Sequence, residues 1–176
     1  MTMGARAFAP LALRAAAAAI TCSANLRYVL VMTDREIRSQ PDIEVGHLKI
    51  WVHNRQFPEV YDYWDGNWLN VTVRCRTVEA HGAILTSPEI HGFAQSCSAC
   101  LQGSAQVVEL RCTEPNLDLS FRKSDNLGHF TGEVRITPDH MAERHTYMFD
   151  IDQSFLPTII RQCQDVLATY PIRGKP

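Results

Sequence analysis

The sequence predicts an α+β domain: a twisted antiparallel sheet of about six to seven strands with two helices packed on one face, in the order βββ-α-ββββ-α. Three observations lead there. Trp68–Cys75 alternates, with Leu69, Val71, Val73 and Cys75 on one side and Asn70, Thr72 and Arg74 on the other, as in a half-buried antiparallel strand. Phe155, Leu156, Ile159, Ile160, Cys163, Val166 and Leu167 recur at helical spacing as a wide apolar stripe. The strand-like segments gather on either side of one helix instead of alternating with helices, which favours an antiparallel sheet.

Residues 33–45 are polar, punctuated by Pro41, and read as a lead-in. Leu48-Lys49-Ile50-Trp51-Val52 is the first strand. Phe57-Pro58 ends that region, and Asp65-Gly66-Asn67 turns into the Trp68–Cys75 strand. A shorter strand over 77–85, around His81-Gly82, returns. Ser87 can cap the first helix, Pro88 fits its first position and Gly103 can end it. Ile90, Phe93, Ala94, Cys97 and Leu101 share one face of it, while Gly92 weakens its interior.

Gln106–Cys112 and Leu117–Lys123 are the next strands, joined through Pro115-Asn116. Asn126-Leu127-Gly128 turns into Phe130–Ile136, which Pro138 closes. Thr146–Ile151 is the last strand, with Tyr147, Phe149 and Ile151 on one face. Asp152 is a candidate cap for the final helix, Pro157 is tolerable in its first turns, and Tyr170-Pro171 stops it. No internal repeat is visible.

The chain has 176 residues, enough for one domain with a substantial core, and its 45% hydrophobic and 20% charged content is that of a globular protein. Residues 1–31 carry Arg6, Arg14 and Arg27 and no acidic residue, so a net charge of −2 for the chain becomes −5 for residues 32–176. That balance argues against direct nucleic-acid binding. Arg14 interrupts the Ala-rich stretch near the start, so it makes a poor signal peptide, and there is no uncharged run long enough to span a membrane. The expectation is an upstream extension over 1–31 and a single domain over 32–176 in the cytoplasm.

Six cysteines stand at 22, 75, 97, 100, 112 and 163; Cys75 and Cys112 sit in strands and Cys97 and Cys163 on apolar helix faces, a placement that reads as buried free thiols and not as a disulfide framework. Cys97-Ser98-Ala99-Cys100 matches C-x-x-C but has no second pair for zinc and lies late in a helix, unlike a redox motif. His140 and His145 are five apart, not the four that would align them on a helix, and fit a loop. No phosphate loop or nucleophile motif is present, so no metal, cofactor or catalytic residue is assigned.

Two acidic segments remain. Tyr61-Asp62-Tyr63-Trp64-Asp65 precedes a turn, where side chains are exposed, and exposed aromatics beside carboxylates suit a protein interface. Trp64 and Trp68 read first as core or turn residues, whereas Tyr61 and Asp62 read as contact residues. Glu114-Pro115-Asn116-Leu117-Asp118 is a second acidic turn leading into a strand. The candidate partner-binding residues are Glu59, Tyr61, Asp62, Tyr63 and Asp65, with Glu114 and Asp118 as a second group.

Asp62-Tyr63-Trp64-Asp65-Gly66-Asn67-Trp68-Leu69-Asn70-Val71, Glu89-Ile90, Glu114 to Phe121, Tyr147-Met148-Phe149-Asp150 and the closing Tyr170-Pro171 together resemble the WapI-type immunity proteins of bacterial toxin systems, over about residues 47–173. The resemblance implies a small cytoplasmic protein that binds and neutralises a cognate toxin domain, often a nuclease, without catalysis. A nuclease site is basic because it holds phosphate, so an acidic partner could occlude it. The alternatives are a ligand-binding or enzymatic domain with a pocket between sheet and helices, holding converging His and carboxylate groups, and a metal-binding regulator using Cys97, Cys100 and nearby His.

Overall fold

The computed structural model describes residues 40–176. The strands are β1 (Ile43–Val45), β2 (Leu48–Arg55), β3 (Trp68–Cys75), β4 (Val78–Thr86), β5 (Val107–Arg111), β6 (Leu117–Lys123), β7 (His129–Ile136) and β8 (His145–Asp152). Helix α1 (Ser87–Leu101) follows β4 and helix α2 (Leu156–Thr169) follows β8. The α+β class and the two helices are as expected, and every expected strand is present. The extension expected over 1–31 lies outside the described residues.

The single sheet is corrected to two. Strands β1-β2-β3-β4 form one four-stranded antiparallel meander and β5-β6-β7-β8 another. Helix α1 carries the chain away from β4, so β5 opens a new sheet instead of extending the first. The order is thus four strands and a helix, twice, a repeat of topology that the sequence does not display. Strand β1 falls inside the segment read as a polar lead-in, where Ile43 and Val45 are buried and Glu44 is exposed.

Register explains the core. Leu48, Ile50 and Val52 of β2 sit opposite Cys75, Val73 and Val71 of β3, so apolar pairs line one face. In the second sheet Phe121, Gly132 and Phe149 stand in one row across β6, β7 and β8. A Cβ on Gly132 would come within 2.5 Å of the Phe149 ring and 2.6 Å of Phe121 Cβ, so only glycine admits both rings. Phe121 packs edge-on against Phe149, Phe130 and Phe93 of α1, with centroids 6.1, 5.7 and 6.5 Å away. The inner faces of both sheets and both helices share one buried cluster.

The helix ends follow local chemistry. The cap of α1 is Thr86, one residue before the expected Ser87: Glu89 N–H donates to Thr86 Oγ1 at 3.3 Å and Thr86 N–H to Glu89 Oε2 at 2.8 Å, a capping box. Gly103 follows α1 with φ +77°, the left-handed stop. Asp152 caps a short 3-10 turn over Gln153–Phe155, and α2 starts only at Leu156 with Pro157 in its first turn. Phe155 therefore leaves the expected stripe and is mostly exposed, while Leu156, Ile159, Cys163 and Val166 are buried.

The β6–β7 turn holds a pH-sensitive pair. Asp125 Oδ1 accepts the Leu127 and His129 amides at 2.8 and 3.2 Å, and Oδ2 meets His129 Nδ1 at 2.6 Å. The hydrogen bond from His129 lowers Asp125 to about 2, from an ordinary 3.8. The same bond raises His129 above its ordinary 6.5. The Asp125 contribution is complete above 3.8 and fades as pH falls toward 2, while the His129 contribution is complete below 6.5 and fades as pH rises through its raised value. The pair therefore helps most between those two ordinary values. An NMR titration of His129 should show a midpoint above 6.5 that returns toward it in Asp125→Asn, and an unchanged midpoint would refute the pairing.

Candidate partner-binding site

Residues 57–67 make up all but the first residue of the connection from β2 to β3, and their shape is built from within and from afar. Asp62 Oδ1 accepts the Asp65 amide at 2.7 Å and the Gly66 amide at 3.4 Å, starting a short 3-10 turn over Asp65–Asn67. Gly66 is required because a Cβ would meet the Val60 carbonyl at 2.6 Å. Tyr63 and Trp64 meet edge to face at 5.4 Å.

The distant support is the C-terminal segment. Asn67 is fully buried; its Nδ2 donates to the Tyr63 carbonyl at 2.7 Å and the Arg173 carbonyl at 2.9 Å, and its Oδ1 accepts the Arg173 amide at 2.9 Å. Buried Arg55 donates to the Gly66 carbonyl at 2.7 Å and to the Pro171 carbonyl. Burial, and then the charge of Arg173, lowers its pKa. Arg173 Nη1 donates to the carbonyls of Pro58 at 2.8 Å and Val60 at 2.6 Å, with its guanidinium 4.2 Å from the Tyr61 ring centre.

Side chains on this frame point to solvent. Trp64 is 72% and Tyr61 68% exposed, and Glu59, Asp62 and Asp65 are exposed while Tyr63 is half-buried. Trp64 is thus a turn residue outside the core, and Trp68 is half-buried. Asp62 both shapes the loop and adds to its charge.

The second acidic group stands elsewhere, on the second sheet, and no hydrogen bond or ion pair among the described residues links it to the first. Glu114 is half-buried in the β5–β6 turn, and Asp118 on β6 accepts from Arg135 at 3.3 Å. Both line an open groove of about 720 Å³ with Glu109, Arg111, Arg135 and Arg144. Its charges are mixed, so this is not a second acidic surface.

A family model matches residues 40–171 and describes the immunity protein WapI-like family. The chain belongs to that family. Membership supports a role in toxin immunity. No curated protein matches the chain. Among solved structures, a guide-RNA-binding protein complex bound to a gRNA is similar at 15% identity over 71% of this chain and 92% of the other, with TM-score 0.36. Trypanosoma bruciei MRP1/MRP2 is similar at 15% identity over 80% of this chain and 93% of the other, with TM-score 0.39. Likenesses at these scores decide nothing about function.

The WapI-like domain carries a polar row that sequence reasoning did not find. On the open face of the first sheet, His53 Nε2 lies 2.8 Å from Thr72 Oγ1, which lies 3.0 Å from His81 Nδ1, and His81 Nε2 lies 2.7 Å from Glu79. Arg74 joins Glu79 and covers the Trp51 ring at 5.0 Å. Thr72 is only 4% exposed, so this hydroxyl between two imidazoles is not offered to a substrate.

The places suggested by the other readings are also visible. An open hollow of about 390 Å³ beside the β1–β2 hairpin and α2 is lined by Glu44, His47, Phe149, Asp150 and Phe155. No hydrogen bond among the described residues joins His47 to either carboxylate. Cys97 and Cys100 are both buried, and burial raises both thiols, which opposes the thiolate form a metal needs. Burial also pushes Cys163 up to about 12. Cys75, Cys97, Cys100, Cys112 and Cys163 are free thiols, as expected. Among the described residues no helix is long and apolar enough to cross a membrane.

Proposed function

We propose that this domain neutralises its cognate toxin in the cytoplasm by one-to-one binding, without catalysis, through the exposed side of the 57–67 loop. The observation that carries this reading is an aromatic pair, Tyr61 and Trp64, left more than two-thirds exposed on a backbone held in place by hydrogen bonds. A rigid loop loses little freedom on binding, and exposed Trp and Tyr are the residue types that dominate interface energetics. Glu59, Asp62 and Asp65 are exposed on the same loop, and half-buried Tyr63 meets Trp64 edge to face. Glu114 and Asp118 are a secondary contact, weaker because arginines share their groove.

The charge pattern favours a toxin with a basic surface, such as a nuclease whose site must hold phosphate. Exposed carboxylates on the same loop as the aromatics would steer such a partner toward them. Expression of the full chain in cells producing the toxin domain encoded beside its gene should restore growth and give a one-to-one complex. The association rate should fall about tenfold or more from low to high salt. Rescue with a salt-insensitive rate would defeat electrostatic steering, and absence of both rescue and complex would defeat the binding reading.

A further inference from the structure

We propose that Arg173 and Gly174 are positioning residues that set the shape of the 57–67 loop, so that recognition belongs to the loop and the C-terminal segment together. The matched family segment ends at residue 171, just before them. This inference rests on the binding role proposed for the loop only where it concerns the toxin. The latch itself stands on geometry.

Within the loop, the Asp62 carboxylate organises one turn and the Val60 amide donates to the Phe57 carbonyl at 3.2 Å; the stretch before Asp62 is tied to the C-terminal segment by the carbonyls of Pro58 and Val60, both of which accept from Arg173 Nη1. Two carbonyls converge on one guanidinium nitrogen, whose two N–H groups serve both, and an alanine there would leave both without this donor. The same side chain lies against the inner face of Tyr61, so Arg173 orients the aromatic as well as the backbone.

Gly174 has φ +68°, and a Cβ there would sit 2.5 Å from the Tyr63 amide nitrogen. The segment therefore passes too close to the loop backbone for any side chain. Asn67 closes the arrangement from below, since its buried amide uses donor and acceptor on Arg173 while also holding Tyr63. A fully buried amide satisfied from two segments ties them into one unit, because parting them strands its polar atoms.

The test uses full-length Arg173→Ala, Arg173→Lys and Gly174→Ala. In each isolated protein, hydrogen exchange is followed over the loop and over α1. Arg173→Ala should raise loop exchange about tenfold or more while α1 is unchanged. Arg173→Lys should restore part of the protection, since its ammonium keeps the charge and can reach one carbonyl but loses the planar fork. Gly174→Ala keeps every hydrogen-bonding group and should still loosen the loop, through the Cβ contact and the strain of a left-handed φ together. Unchanged loop exchange in both Arg173→Ala and Gly174→Ala would overturn the latch, and so would an equal rise over α1, which would make the segment part of the global fold.

Titration against the toxin domain encoded beside the gene separates the two ideas. Loosening of the loop with a matching loss of affinity supports both. Loosening with unchanged affinity leaves the latch standing and removes the loop from the binding face.

Discussion

Phe121→Ala should cost about 3–5 kcal/mol of folding stability, the range for removing a large aromatic from a packed core. Phe121 is 1% exposed and is the ring on which three others converge: Phe93 from α1, Phe130 and Phe149. The neighbours cannot collapse into the space, because Phe93 is fixed by its helix and Phe130 and Phe149 by strand register. Edge-to-face pairs add about 0.5–1.5 kcal/mol each beyond area. Against a total of about 5–15 kcal/mol for an ordinary domain, the variant should stand near its unfolding threshold. Urea denaturation should show a much lower midpoint at an unchanged slope. A loss below about 1.5 kcal/mol would mean that the second sheet and α1 are not joined through this ring. Gly132→Ala provides the opposite probe, since it adds one methyl where 2.5 Å is available, and overpacking costs about 1–3 kcal/mol.

That Phe121 holds this position was half legible. Leu117–Lys123 reads as a strand in the sequence, and in the structure Leu117, Leu119 and Phe121 share its buried face. What alternation cannot say is which surface covers the face. Eight strands with one buried side each satisfy the pattern equally as one sheet under helices or as two sheets facing inward, so the split between β4 and β5 was invisible. Ile43–Val45 was missed because three residues hold a single alternation, too little to stand out from a polar stretch. Thr86 and Ser87 are both capping residues, and the choice between them was made by Glu89, which sits three positions after Thr86. Phe155 was lost to the stripe because Asp152 caps a 3-10 turn, whose different period rotates it outward.

The loop was legible as a composition: aromatics and carboxylates before a turn. Its support was not. Arg55, Asn67 and Arg173 meet partners 106 to 116 positions away, and nothing local marks a residue for such a bond. The same limit hid the His53–Thr72–His81 row. Alternation places Thr72 outward, but its neighbours follow from a register that pairs Thr72 with His81 across β3 and β4. The mixed charge of the Glu114 and Asp118 groove was hidden for the same reason, because Arg135 arrives from the adjoining strand β7.

Trp64→Ala should weaken toxin binding by at least about 2 kcal/mol, roughly thirtyfold, and leave the urea midpoint nearly unchanged. The two halves of this expectation come from one fact. At 72% exposure, with the edge of Tyr63 as its ring partner, Trp64 gives little to the isolated fold and has most of its surface left to bury. It separates binding from folding better than its neighbours do. Asp62→Ala would remove a charge and also two amide contacts that shape the loop, so a loss of affinity there would have two causes. Tyr61→Ala would uncover Arg173, with the same ambiguity. Leu127→Ala serves as the control: Leu127 is 81% exposed on the β6–β7 turn, so exposure alone should not give it a role. Titration of each variant with the cognate toxin domain decides between faces. If Trp64→Ala binds as the native chain does while Asp118→Ala weakens the complex, the toxin sits on the mixed-charge groove of the second sheet and the acidic-aromatic loop serves another purpose.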